Sequence, residues 1–220
     1  MTIPDRDPKI EKIKEVISSK ISEINRLYRG GPSSYFYHRI IDLRKQNHSV
    51  YDFIFSDTCV EILYATLTAW DMDSRGAKMK DFNDFKGNLK ENIDKFKKVE
   101  VLSKEFTWKN RDKVISALSN LYEHTALMKT NGRLVSNSKA LHFIFPDLCP
   151  PMDRSNTINW LYNESISESP KRFLEILNFT YDVLNKINNP KQYLEKNGWN
   201  SSLTKLVDNA IIIVRKENED

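Results

Sequence analysis

Lys139, His142 and Asp153 are the residues of this chain whose types and spacing best suit a reactive site. A lysine and a histidine three positions apart stand side by side on one helix face. Pro150-Pro151 then stiffen the approach to Asp153, which opens the next helix beside Arg154. Converging on one pocket, His142 or Asp153 would act as general base and Lys139 as electrophile or nucleophile. The same three residues have a plain structural reading: an N-cap, a partly buried helix residue and a solvated charge.

A second segment offers phosphate chemistry. Tyr28-Arg29-Gly30-Gly31-Pro32-Ser33-Ser34 joins two helices and runs into Tyr35-Phe36-Tyr37-His38-Arg39. Free amides at a helix start and the helix dipole both favour an anion, so Arg29, Gly31, Ser33 and Arg39, with Arg154, are the expected phosphate contacts. The competing reading is a capped turn with aromatic core residues. Several classes fall away. No Gly-x-x-x-x-Gly-Lys stretch is present, so a nucleoside triphosphatase is not expected. Asp71 and Asp73 lack the further ligands of a calcium loop. No closely spaced Cys and His would hold zinc, and no hydrolytic triad can be assembled from spacing. No metal and no cofactor are expected.

The positioning elements read as helices. Apolar residues recur three and four apart almost throughout, and glycine is scarce, which predicts an all-α fold of about nine helices. Asp7 and Pro8 suit the start of a first helix whose face is Ile10, Ile13, Ile17, Ile21, Ile24 and Leu27, ended by Gly30-Gly31-Pro32. A second runs from about Tyr35 to Lys45. A third, beginning near Asp57 and carrying Val60, Leu63, Leu67 and Trp70, holds one charge, Glu61, and is the expected buried centre. Phe82, Phe85, Leu89, Ile93 and Phe96 mark a fourth, and Asn110 caps a fifth. Ser136-Asn137-Ser138 offers caps for a short helix ended by Pro146. Later starts are Asp153, Ser169-Pro170, Asn189-Pro190 and Ser201. The expected organisation is one helical domain over 1–220, with the turn at 129–133 as the place where two lobes would meet and a frayed end at 215–220.

The chain has 220 residues, 40% of them hydrophobic, enough for a substantial core. Lys+Arg 34 against Asp+Glu 30 leaves a net charge of only +4, which argues neither for nor against a polyanionic partner. Cys59 and Cys149 lie in apolar stretches and read as buried thiols. The charged N-terminus and the short longest apolar run, Ile62 to Trp70, point to a cytoplasmic protein with no membrane partner.

Three blocks resemble those of an uncharacterised, largely archaeal and bacterial family of small helical proteins: Gly-Gly-Pro-Ser-Ser-Tyr-Phe at 30–36; Leu-Tyr-Ala-Thr-Leu-Thr-Ala-Trp-Asp-Met at 63–72 with Arg75-Gly76; and Ser-Lys-Ala-Leu-His-Phe at 138–143 with Pro-Pro-Met-Asp-Arg at 150–154. That resemblance implies no activity. The last block is also similar to the helix-hairpin-helix DNA glycosylases. Val135-Ser136-Asn137-Ser138-Lys139-Ala140 would stand in the place of their phosphate-binding hairpin and Asp153 in the place of their catalytic aspartate. Serines replace both hairpin glycines, and Asp153 follows at a shorter interval than in that family. The likeness implies a helical architecture and a DNA or RNA partner.

Three functions follow from these residues. The leading one is a nucleic-acid-associated protein, distantly glycosylase-like, with phosphate at Arg29, Ser33, Arg39, Lys139 and Arg154 and a water oriented by Asp153. The others are a non-enzymatic helical interaction module and an enzyme acting on a small phosphorylated ligand.

Overall fold

A computed structural model describes residues 2–27, 30–74, 78–130, 132–163 and 168–217. The fold is all-α. Twelve α-helices are described, more than the nine expected: α1 (Arg6–Ser19), α2 (Ile24–Leu27), α3 (Pro32–Gln46), α4 (Val50–Phe55), α5 (Asp57–Ala69), α6 (Phe82–Glu91), α7 (Ile93–Lys104), α8 (Arg111–His124), α9 (Leu134–Ile144), α10 (Asn159–Tyr162), α11 (Pro170–Asn185) and α12 (Leu203–Glu217). Short 3₁₀ turns, Ile21–Glu23 and Pro190–Tyr193, and one π turn, Arg154–Ile158, join them. Among the described residues no strand forms; Met79 and Met128 make one isolated antiparallel bridge.

The extra helices come from side chains that compete with the helical backbone. Ser18 and Ser19 donate to Lys14 O and Glu15 O at 2.9 and 2.8 Å, and α1 gives way at Lys20, whose φ is −130°. The expected single first helix is therefore α1, a 3₁₀ turn and α2, and Leu27 at its end is 37% exposed. Its start also moves: α1 begins at Arg6, and Asp7 lies in the first turn, where its charge suits the helix dipole. Likewise, Asn92 Nδ2 donates to Asn88 O and His124 O and separates α6 from α7. Ser49 caps α4 by accepting from Asp52 N, a helix the spacing of apolar residues did not mark.

The buried centre is α9 rather than α5. Every α9 residue except Val135 is buried, whereas Asp57, Thr58, Glu61 and Thr68 of α5 face solvent. α9 is enclosed by α3, α5, α8 and α11. Inside this enclosure Asn137 Nδ2 donates to Tyr122 O and Thr125 O, closing the end of α8. Its start precedes Ser136-Asn137-Ser138 because Glu168 supplies the cap, accepting from Leu134 N at 2.8 Å. Val135 to Ala140 is thus continuous helix, and no turn forms at the serines.

α12 is buried from Thr204 to Val214 and packs on α1 and α11. Asp147 caps it from outside, accepting from Leu203 N at 2.9 Å. Arg6 of α1 and Arg111 of α8 clamp Asp182 of α11 at 2.6 and 2.5 Å. Among the described residues no helix is long and apolar enough to cross a membrane.

Candidate functional site

Four parts of the chain that are far apart in sequence wall one cavity of about 460 Å³. The start of α3 contributes Gly31, Pro32, Ser33 and Ser34; the end of α5 contributes Trp70 and Asp71; α9 contributes Lys139, and the following segment Pro151, Asp153 and Asn156. Trp199, Lys205, Asp208 and Ile212 complete it from the C-terminal region.

The first two parts are tied together by a reciprocal pair of hydrogen bonds. Ser33 Oγ donates to Ala69 O at 2.9 Å, and Trp70 Nε1 donates back to Ser33 O at 3.2 Å. α5 ends in a Schellman closure: Met72 N donates to Leu67 O at 3.0 Å and Asp71 N to Thr68 O at 2.9 Å, with Asp71 at φ 61°. At α3, Gly31 holds φ 149° and ψ −179°, a conformation that favours glycine, and no side chain caps the amides that follow.

The third part is held by α9. Ser138 Oγ accepts from Met152 N at 3.1 Å, and His142 Nδ1 donates to Cys149 O at 2.8 Å. These bonds bracket Pro150-Pro151 and deliver Asp153 to the cavity. Its carboxylate accepts from Asn156 N at 3.0 Å, the N-cap expected from sequence, and lies 3.8 Å from Lys139 Nζ. Asp153 N donates to Thr157 Oγ1 at 3.1 Å.

A second lysine and aspartate complete the wall. Lys205 Nζ lies 2.5 Å from Asp208 Oδ2. Thr157 Oγ1 reaches Asp208 Oδ1 at 3.5 Å, so one hydroxyl links the Asp153 backbone to the second pair. Trp70 serves both cations: Lys139 Nζ lies 5.5 Å and Lys205 Nζ 5.4 Å from its ring centre, and Lys205 is also 5.6 Å from Trp199. Tyr37 stacks on Trp70 and Trp199 at 5.4 and 5.2 Å and fixes both. Burial pushes the Asp208 carboxyl up from its ordinary value, with the charge and hydrogen bond of Lys205 opposing it.

The structure brings Lys139, Asp153, Gly31 and Ser33 together on this cavity. His142 lies behind the wall, fully buried and outside the lining, with Nε2 3.4 Å from Tyr37 Oη. Burial, then the charge of Lys205, holds its imidazole down at about 3, the bond to Cys149 O acting the other way. His142 is accordingly a neutral positioning residue for the Cys149–Asp153 segment, and the general-base role read from its spacing has no access to a ligand. Arg39 is exposed and outside the lining. Arg154 points away to Glu168 at 2.6 Å. Arg29 lies outside the described residues.

Lys205, Asp208, Trp70 and Trp199 were not among the residues singled out for chemistry. A signal was present: Lys205 and Asp208 stand three apart inside Leu203–Val214, where nearly every neighbour is apolar. Cys59 and Cys149 are buried free thiols. Among the described residues no group of three or more His, Cys, Asp or Glu side chains could hold a metal ion. No family model, curated protein or solved structure matches the chain.

Proposed function

We propose that the protein is nucleic-acid-associated and receives one nucleotide unit in this cavity, its phosphate toward Lys139 and Lys205 and its ring against the tryptophans. One observation carries this reading: two nearly buried lysines share the Trp70 ring in a single cavity, each beside its own aspartate. The wall carries three carboxylates, Asp71, Asp153 and Asp208, beside these two cations; Lys139 and Lys205 gathered at one aromatic ring suit a dianion, and indole faces favour a planar ring. A cavity of about 460 Å³ falls within the ordinary range for small-molecule sites. The uncapped start of α3 adds its dipole to the same side. Asp153, fixed by Asn156 N, would orient a water toward the bound unit, with Lys139 as the neighbouring electrophile.

A second reading, an enzyme acting on a small phosphorylated ligand from solution, is favoured by the placement of the other basic residues. Arg39 and Arg154 do not line the cavity, so they add nothing to a phosphate held there. Binding of adenosine 5′-monophosphate and of a 5′-phosphorylated single-stranded hexamer, each measured across a salt series, separates the two. Tighter binding of the hexamer with a steep salt dependence supports the nucleic-acid reading. Equal or weaker binding of the hexamer supports the free ligand, and absence of both overturns the site.

A further inference from the structure

The pair Lys205–Asp208 has an energetic oddity. Its side chains are only 5% and 6% exposed, yet both residues line a cavity. A buried ion pair recovers little more than the desolvation of its two charges, so it is a weak way to stabilise a fold. Facing a cavity, it is also a cation whose present partner can be replaced.

The surroundings of Asp208 decide what replacement does. On α12 Lys205 is its ion-pair partner; from α9 Lys139 faces it; from α3 the Tyr37 hydroxyl lies within its field; from the Pro151–Asn156 segment Asp153 faces it, a like charge; and from the π turn Thr157 offers a hydroxyl at 3.5 Å. Burial and Asp153 favour the neutral carboxyl, while Lys205 and Lys139 favour the charged one. Both opposing cations are the ones that would turn toward an anion in the cavity.

We propose that Lys205 and Asp208 form a proton-coupled anion receptor: an incoming phosphate dianion takes Lys205 from Asp208, and Asp208 takes a proton from solvent. Lys205 keeps its charge and exchanges a carboxylate for the phosphate oxygens. The proton becomes Asp208 Oδ–H, with Thr157 Oγ1 within reach as its acceptor. The net change is one dianion and one proton entering together. This rests on the cavity being a phosphate site, and it assigns the ligand class as a dianionic phosphate monoester whose binding takes up a proton.

Calorimetric titration tests it with inorganic sulfate, a dianion with no titratable proton near neutrality, and with adenosine 5′-monophosphate. Each is measured in two buffers of different ionisation enthalpy and at several pH values, for the wild type and Asp208→Asn. The expected result is uptake approaching one proton per site and affinity rising by up to about tenfold per unit fall in pH within the titration range of Asp208. Asp208→Asn, which keeps the shape of the wall, is expected to bind without that proton and with no such pH dependence for sulfate. Binding of sulfate by the wild type with no proton uptake, or with the same uptake in Asp208→Asn, overturns the coupling and leaves the phosphate site standing. Failure of both anions to bind the wild type overturns the coupling and the site together.

Discussion

Lys139 Nζ lies 3.8 Å from Asp153 Oδ2, and that separation is the more open of two lysine–aspartate contacts in one wall; the other, Lys205 to Asp208, is 2.5 Å. The difference follows from how the carboxylates are held. Asp153 is occupied as an N-cap by Asn156 N and stays 21% exposed, while Asp208 is enclosed by α12 and its neighbours. One carboxylate thus stays partly open to solvent, and the other is enclosed with its lysine.

Removal of one partner of the enclosed pair should be far worse than removal of both. Asp208→Leu leaves Lys205 buried without its carboxylate and should cost about 3–5 kcal/mol in urea unfolding. The double variant Lys205→Met, Asp208→Leu should recover most of that loss. Equal stability of the single and double variants would contradict the pairing.

His142 sets an acid limb. Its folded pKa, about 3, is below the unfolded value of about 6.5, so neutral His142 contributes stability in full above that unfolded value. The contribution is lost as pH falls from there toward 3, at up to about 1.4 kcal/mol per pH unit. His142→Asn, which can still donate to Cys149 O, should be less stable at pH 7 and should flatten this part of the stability profile. An unchanged acid limb, followed by denaturant unfolding at each pH, would rule the assignment out.

Gly31 should resist substitution through its backbone alone. Nothing lies within 4 Å of the position a Cβ would take, but φ is 149°. Gly31→Ala should therefore cost about 1–3 kcal/mol from strain without a clash. It should also weaken adenosine 5′-monophosphate binding, because the start of α3 that it sets forms part of the wall. Full stability in thermal unfolding would show that the turn relaxes to another conformation.

Much of this was legible in the sequence because helices announce themselves by period. The starts at Asp153 and Ser169-Pro170 follow from cap chemistry, and both side chains accept the expected amides, from Asn156 and Arg172. The breaks at Lys20 and Asn92 were not, because they arise from serine and asparagine side chains that bond back to the chain. The choice of central helix depended on enclosure: α5 is the more apolar by residue type, but α9 is the one surrounded, and Asn137 and Ser138 on it bond to distant segments. At the site, the glycine turn, Lys139 and Asp153 stood out by composition. Their convergence with Lys205 and Asp208 is set by the packing of α12, which local spacing does not encode.

The most direct measurement uses the tryptophans as reporters. The chain has four, and Trp70 and Trp199 line the cavity while Trp108 and Trp160 do not. Assigned indole N–H resonances should be followed by NMR during titration with adenosine 5′-monophosphate, for the wild type and Lys139→Ala. The Trp70 and Trp199 signals should shift together and saturate, those of Trp108 and Trp160 should stay in place, and Lys139→Ala should weaken the midpoint severalfold. Shifts confined to Trp108 or Trp160, or no shift at millimolar ligand, would contradict a nucleotide site in this cavity.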